Sequence, residues 1–212
     1  MKLIKPINHV EARILKDKDF LTAIQIGRPR KFHEEGTVGA HITNILDYIE
    51  KNYCESKYYE DLRILALLHD IGKITGLERR PDLLQPDMPG EKLTELINDS
   101  RKFAKKYQTT IPANFNKYPI TKAHAFHSYK FAKRFIKSKR LLDLIKYHDM
   151  ALDMLHEYKN TGRYDERTFI DIFSRLDINL YLIFLKCDKC VGKNNVSRWL
   201  IKELKRHGLL KK

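Results

Sequence analysis

The sequence predicts an all-α protein, and three observations carry that reading. Apolar residues recur at the three-and-four spacing of a helix through most of the chain. Two stretches of helix length, Asp61 to Lys73 and Asp177 to Asp188, each carry a run of apolar residues on successive positions, as expected for helices buried on every side. No segment shows convincing strand alternation, an internal repeat or an interdomain linker. At 212 residues the chain is long enough for one substantial core, so a single helical domain is expected across 1–212. A composition with only 7 Pro and 9 Gly speaks against collagen-like or disordered classes.

In chain order, residues 17 to 27 read as a short amphipathic helix stopped by Gly27 and Pro29. The polar stretch His33-Glu34-Glu35-Gly36-Thr37 then runs into a helix. Thr37 is a candidate N-cap, because a Thr oxygen satisfies free first-turn amides. Ile42, Ile45, Leu46 and Ile49 form the apolar stripe of that helix, and His41 lies beside the stripe in the first turns. The Asp61 to Lys73 helix follows, ending in Leu67-Leu68-His69-Asp70-Ile71-Gly72-Lys73. Residues 74 to 90, punctuated by Pro81, Pro86, Pro89 and Gly90, are expected to be irregular and to serve as a lid or substrate-binding loop. Helix returns over 91 to 107, with Leu93, Leu96, Ile97 and Phe103 facing inward. Thr121 is a candidate N-cap for a helix carrying His124, His127, Phe131 and Phe135. Leu141 to His148 is helical and ends in Tyr147-His148-Asp149. Asp165 to Leu176 is a further helix, and the buried run Asp177 to Asp188 ends in Cys187-Asp188-Lys189-Cys190. A basic amphipathic helix with Trp199, Leu200 and Leu204 on one side occupies about 197–212.

The His69-Asp70 pair is the most informative point of the chain. Burying an imidazole and a carboxylate at the end of an apolar helix is costly unless they are paired or hold a metal. Successive helix residues lie about 100° apart around the axis, so both side chains can reach one ion. Asp188 repeats this placement at the end of the second buried helix, and His41, His124 and His148 sit on three further helices. A single His or Asp in such a place is more often structural; the set points to metal ligation.

The order His, His-Asp, His, His, Asp resembles the HD-domain superfamily of metal-dependent phosphohydrolases. His33-Glu34-Glu35-Gly36-Thr37-Val38-Gly39-Ala40-His41 is similar to the HPEGxVxxH stretch of the HD domain appended to bacterial tRNA nucleotidyltransferases. Leu67 to Lys73 matches the LLHDIGK hallmark residue for residue, and Asp188 to Lys193 resembles that domain's ADxRGR-like element. The resemblance covers about 33–193 and implies an HD-type helical bundle. It implies that His41, His69, Asp70 and Asp188 form a first metal site. His124 and His148 would complete a second, with Asp70 bridging. His124 is preferred to His127 because a small residue, Ser128, stands four positions on; His127, one turn along the same helix, remains an alternative. The chain shows no nucleotidyltransferase head, so no nucleotide addition is expected. The GYP element of cyclic-dinucleotide enzymes is also missing, which counts against such a substrate.

A set of imidazoles and carboxylates suits Mn²⁺, Fe, Co²⁺ or Ni²⁺, and Mg²⁺ less well, as one or two ions. The implied activity is a phosphomonoesterase or phosphodiesterase acting on a nucleotide or an RNA end, with a 2′,3′-cyclic phosphate as one candidate. Two other classes stay open: an HD-type diiron oxygenase using the same ligand positions, and a basic nucleic-acid-binding or regulatory module with a structural metal. Lys73 is a candidate for a phosphate oxygen, or for the C-terminal end of the helix dipole. Glu35 and His33 are candidates for orienting ligands or moving protons, or else belong to a solvated loop. Cys187-x-x-Cys190 admits zinc or redox chemistry, but one such pair overlapping Asp188 reads more simply as buried or incidental thiols. The net charge of +14 fits a polyanionic partner or a generally lysine-rich surface, and its even spread favours the surface. Three cysteines argue against a disulfide framework, the Met1-Lys2-Leu3-Ile4-Lys5 start is not followed by a signal-peptide core, and no run is long enough to span a bilayer. A cytoplasmic location without membrane attachment is therefore expected.

Overall fold

The first helices show how closely capping residues set the element boundaries. The computed structural model describes residues 4–29, 36–77, 88–108, 121–188 and 195–210. Asn8 accepts a hydrogen bond from the Glu11 amide and starts α1 (His9–Leu15); Asp17 does the same for α2 (Lys18–Ala23) through Phe20. Gly27, at φ +112°, then forms an isolated bridge with Thr37, and a Cβ there would lie 2.4 Å from the Gly36 carbonyl oxygen. That close approach delivers Thr37 as the N-cap of α3 (Val38–Tyr53), its side chain accepting from the Ala40 amide at 3.1 Å. Ile42, Ile45, Leu46 and Ile49 are buried on α3, as its periodicity predicts.

α4 (Tyr59–Leu68) is buried continuously from Leu62 to Leu68. It is shorter than the sequence suggests. The α-helix stops at Leu68, His69 is its C-cap, Asp70 stands at φ −106° and ψ 0°, and a 3₁₀ helix spans Ile71–Gly76. The cause is tertiary. An α-helical Gly72 would donate its amide to Leu68; instead it donates to Ser128 Oγ at 2.8 Å, on a neighbouring helix. The 3₁₀ register also brings residues i and i+3 into line, which sets Lys73 above Asp70.

The remaining helices are α5 (Gly90–Lys106), α6 (Thr121–Ala132), α7 (Lys139–Tyr147), α8 (Met150–Thr161), α9 (Glu166–Phe173), α10 (Ile178–Asp188) and α11 (Asn195–Arg206). Together they form an all-α bundle around one cluster of buried apolar side chains; among the described residues there is no strand. α1 and α8 have no counterpart in the sequence reading. α1 is only two turns long, and α8 follows α7 with no Gly or Pro between them. α8 closes on Gly162 at φ +72°. α11 buries Leu200 and Leu204 and exposes Arg198, Lys202 and Lys205, the amphipathic pattern expected. Among the described residues, no helix is long and apolar enough to cross a membrane.

A charged pair ties α1 to the interior of the bundle. Arg63, in the middle of α4, donates to both carboxylate oxygens of the fully buried Glu11, at 2.8 Å and 2.9 Å. This two-pronged match of guanidinium and carboxylate attaches α1 to the central helix. Glu11→Ala leaves the guanidinium without its buried partner and is expected to lower stability by about 3–5 kcal/mol in urea denaturation. Gly72→Ala is expected to cost about 1–3 kcal/mol by overpacking, since its Cβ would meet the His124 carbonyl oxygen at 2.0 Å. A Gly72→Ala protein with an unchanged melting temperature would show that α6 does not need this close contact.

Candidate metal centre

Five segments bring histidine and aspartate side chains to one place. α3 supplies His41 from its second turn, the end of α4 supplies His69 and Asp70, and α6 supplies His124. His148 is the C-cap of α7, and Asp188 is the last residue of α10. Helix ends suit this task, because a side chain there projects beyond the helix body while the backbone behind it stays packed. His69, Asp70, His124, His148 and Asp188 are all buried, and His41 is nearly so.

The donor atoms fall into two groups, His41–His69–Asp188 and Asp70–His124–His148, each with its donor atoms within 4.8 Å of one another. His41 Nε2 lies 3.0 Å from Asp188 Oδ1, and His69 Nε2 lies 3.4 Å from the same oxygen. Asp70 joins the groups through its two oxygens. Oδ2 faces His69 at 3.4 Å and His41 at 3.8 Å, while Oδ1 faces His124 at 3.2 Å and His148 at 3.6 Å. Lys73 Nζ lies 2.5 Å from Asp70 Oδ2. The lysine is therefore tied to the shared carboxylate.

The backbone settles which nitrogen two of the buried rings offer. His69 Nδ1 lies 3.2 Å from the Leu65 carbonyl oxygen and 3.1 Å from that of Ala66, so it carries the proton and donates. His148 Nδ1 likewise donates to Ile145 at 2.9 Å. Both rings thus present Nε2 to the cluster, the orientation that a carbonyl partner imposes on a metal-ligating histidine. His69 Nε2 is buried with no hydrogen-bond partner, although two carboxylate oxygens are close by. A buried nitrogen aimed at two anions in this way needs a cation, either a proton or a metal ion. The residues present fit a metal.

The electrostatics agree. Burial alone would lower the His69 pKa, but Asp70 and Asp188 outweigh it and hold it up at about 10. Burial would raise the Asp70 pKa, yet Lys73 and His69 keep it well below the usual carboxylate range. For His124, burial prevails and the pKa falls; for His148, Asp149 and Asp70 overcome burial and raise it. With their Nε2 atoms 3.3 Å apart, these two rings have room for one proton between them or for a shared cation.

α10 does more than end in Asp188. Tyr181 Oη lies 2.9 Å from the His148 carbonyl and 3.2 Å from that of Tyr147, and the Ala151 amide donates to it at 3.3 Å. It thereby pins the α7–α8 turn. Phe184 packs edge-on against the His69 ring at 5.2 Å. His127 is half-buried and stands outside both donor groups. His33, Glu35 and Cys190 lie outside the described residues, as does most of the expected 74–90 loop; Cys187 is buried. Asp149 is the residue the sequence reading passed over. Its Oδ2 approaches both His124 and His148, and the signal was a second His-Asp dipeptide at a helix end.

Fold and site together define an all-α protein with a buried histidine–aspartate cluster suited to a metal ion. No protein-family profile, curated protein or solved structure matches the chain.

A metal taking His69 Nε2 must displace the proton held there. Mn²⁺ titrations near pH 7, in buffers of different ionisation enthalpy, are therefore expected to show proton release on binding. Apparent affinity should rise with pH, by about tenfold per unit for one displaced proton, up to the His69 pKa of about 10. Binding that is independent of pH across this range would exclude His69 Nε2 as a ligand.

Proposed function

We propose that the chain is a metal-dependent phosphohydrolase of the HD type, built as one domain and acting on a phosphate ester of a nucleotide or an RNA end. A 2′,3′-cyclic phosphate is one candidate substrate. The observation that carries this reading is the pair of donor groups sharing Asp70, with an ammonium at the shared carboxylate. His41, His69, Asp188 and Asp70 Oδ2 would hold one ion; Asp70 Oδ1, His124 and His148 would hold a second.

When bound, such ions supply Lewis-acid charge for a phosphoryl oxygen and acidify a water nucleophile. The protein's own groups do the rest. Before a metal arrives, Lys73 and protonated His69 hold the Asp70 pKa well below the usual carboxylate range, so the shared donor is already ionised at neutral pH. The Leu65, Ala66 and Ile145 carbonyls fix two imidazoles in one tautomer. Lys73, held at Asp70 Oδ2, would meet a phosphate oxygen that reached this carboxylate.

The test is a panel of phosphomonoesters and 2′,3′-cyclic phosphates assayed with Mn²⁺, Fe²⁺, Co²⁺, Ni²⁺ and Mg²⁺, alongside metal content. Asp70→Ala is expected to lose metal and activity together. Lys73→Ala removes a cation that competes for Asp70 Oδ2, so metal binding should hold or tighten. Its rate should fall by about ten- to a hundredfold, the worth of one charge-assisted hydrogen bond of roughly 1.5–3 kcal/mol in the transition state. Metal-loaded protein that releases no phosphate from any ester overturns the proposal, and a redox-active diiron signal in that protein would point to an oxygenase on the same donors.

A further inference from the structure

Asp149 occupies the N-cap position of α8 without capping it. Aspartate is a favoured N-cap because its oxygen takes a free amide of the first turn, yet no such side-chain bond is made here. The carboxylate is turned the other way, into the cluster. Its Oδ2 lies 3.3 Å from His124 Nε2 and 3.5 Å from His148 Nε2.

These distances complete a figure. His124 Nε2 and His148 Nε2 are 3.3 Å apart, and Asp70 Oδ1 lies 3.2 Å from the first and 3.6 Å from the second. Nitrogen and oxygen donors bind divalent transition metals at about 2.0–2.2 Å, which places neighbouring donors of a tetrahedron roughly 3.3–3.6 Å apart. Five of the six edges among Asp70 Oδ1, His124 Nε2, His148 Nε2 and Asp149 Oδ2 are close to that length. Asp188 has the matching place in the other group, within 3.4 Å of both of its histidines.

We infer that Asp149 is the fourth donor of the second group, which makes that group a complete divalent-cation site of two imidazoles and two carboxylate oxygens. The inference rests on the metal centre proposed above and adds a ligand to it. Each group then has two histidines, one carboxylate of its own and one oxygen of Asp70. Three carboxylates against two divalent ions and the Lys73 ammonium leave two positive charges, which favours an anionic substrate over a neutral one.

The test counts ions rather than turnover. Wild-type protein titrated with Mn²⁺ by calorimetry is expected to bind two ions, with the exchange-coupled EPR signal of a close pair. Asp149→Asn keeps the shape and removes the charge; it should bind the first ion with unchanged affinity and the second more than about 100-fold more weakly. That exceeds the 10–100-fold effect of a group that only orients a ligand. Its EPR spectrum should become that of an isolated ion. Asp149→Ser, which supplies a good N-cap for α8, should behave in the same way and guards against loss of the helix; circular dichroism checks both variants. Two ions bound to either folded variant with wild-type affinity overturns the role of Asp149 and leaves the metal centre standing. Wild-type protein that binds no divalent transition metal overturns the centre itself, and the role of Asp149 with it.

Discussion

The carboxylate of Asp70 is 3% exposed and ionised, and much of the surrounding structure is arranged to keep it so. An unpaired charge in such a place costs several kcal/mol even after relaxation. The compensation comes from two neighbours in sequence. His69 is held as a cation by the carboxylates around it, and Lys73 is brought over Asp70 by the 3₁₀ register of residues 71–76. An uninterrupted α-helix would turn Lys73 away from that line, because it places three residues about 300° apart rather than 360°. The break after Leu68 is thus an electrostatic requirement as well as a packing one. It is maintained from outside by Ser128, which takes the Gly72 amide that would otherwise continue the helix.

The same logic explains why the cluster is built on ends of helices. α4, α7 and α10 each run through the core and stop at the cluster, so their apolar bodies are packed and their termini carry the polar groups. Tyr181 links two of these ends, because its hydroxyl contacts the turn after α7 while its own helix carries Asp188. Around this acidic interior the protein carries a net charge of +14, so an anion meets a favourable field before it reaches the site.

Helix class, the two buried helices and the Thr37 cap were legible in the sequence because each depends on nearby residues. Periodicity identifies a stripe, and a capping oxygen acts within three positions. The end of α4 was not legible: the Gly72 amide is taken by Ser128, 56 residues away, and no local pattern records that. α8 escaped because only His148 and Asp149 separate it from α7, and neither is a helix breaker. At the cluster, the motif order marked His41, His69, Asp70, His124, His148 and Asp188 as candidates, and their donor atoms do lie together. Lys73 and Asp149 show the limit of such a reading. Which carboxylate a lysine chooses, and whether an aspartate caps a helix or turns away, are decided by rotamers that the sequence does not display.

His41 and Asp188 stand 147 residues apart in the chain and 3.0 Å apart in space. Little of the cluster can therefore form in a partly folded chain, since closing so long a loop is unfavourable until the intervening helices have docked. A cation seated between these two segments acts as a removable cross-link. It recognises the native state alone, so its binding energy adds to the free energy of unfolding. Loss of the cation would then register first as a shorter lifetime of the folded chain, before any change in the shape of the bundle.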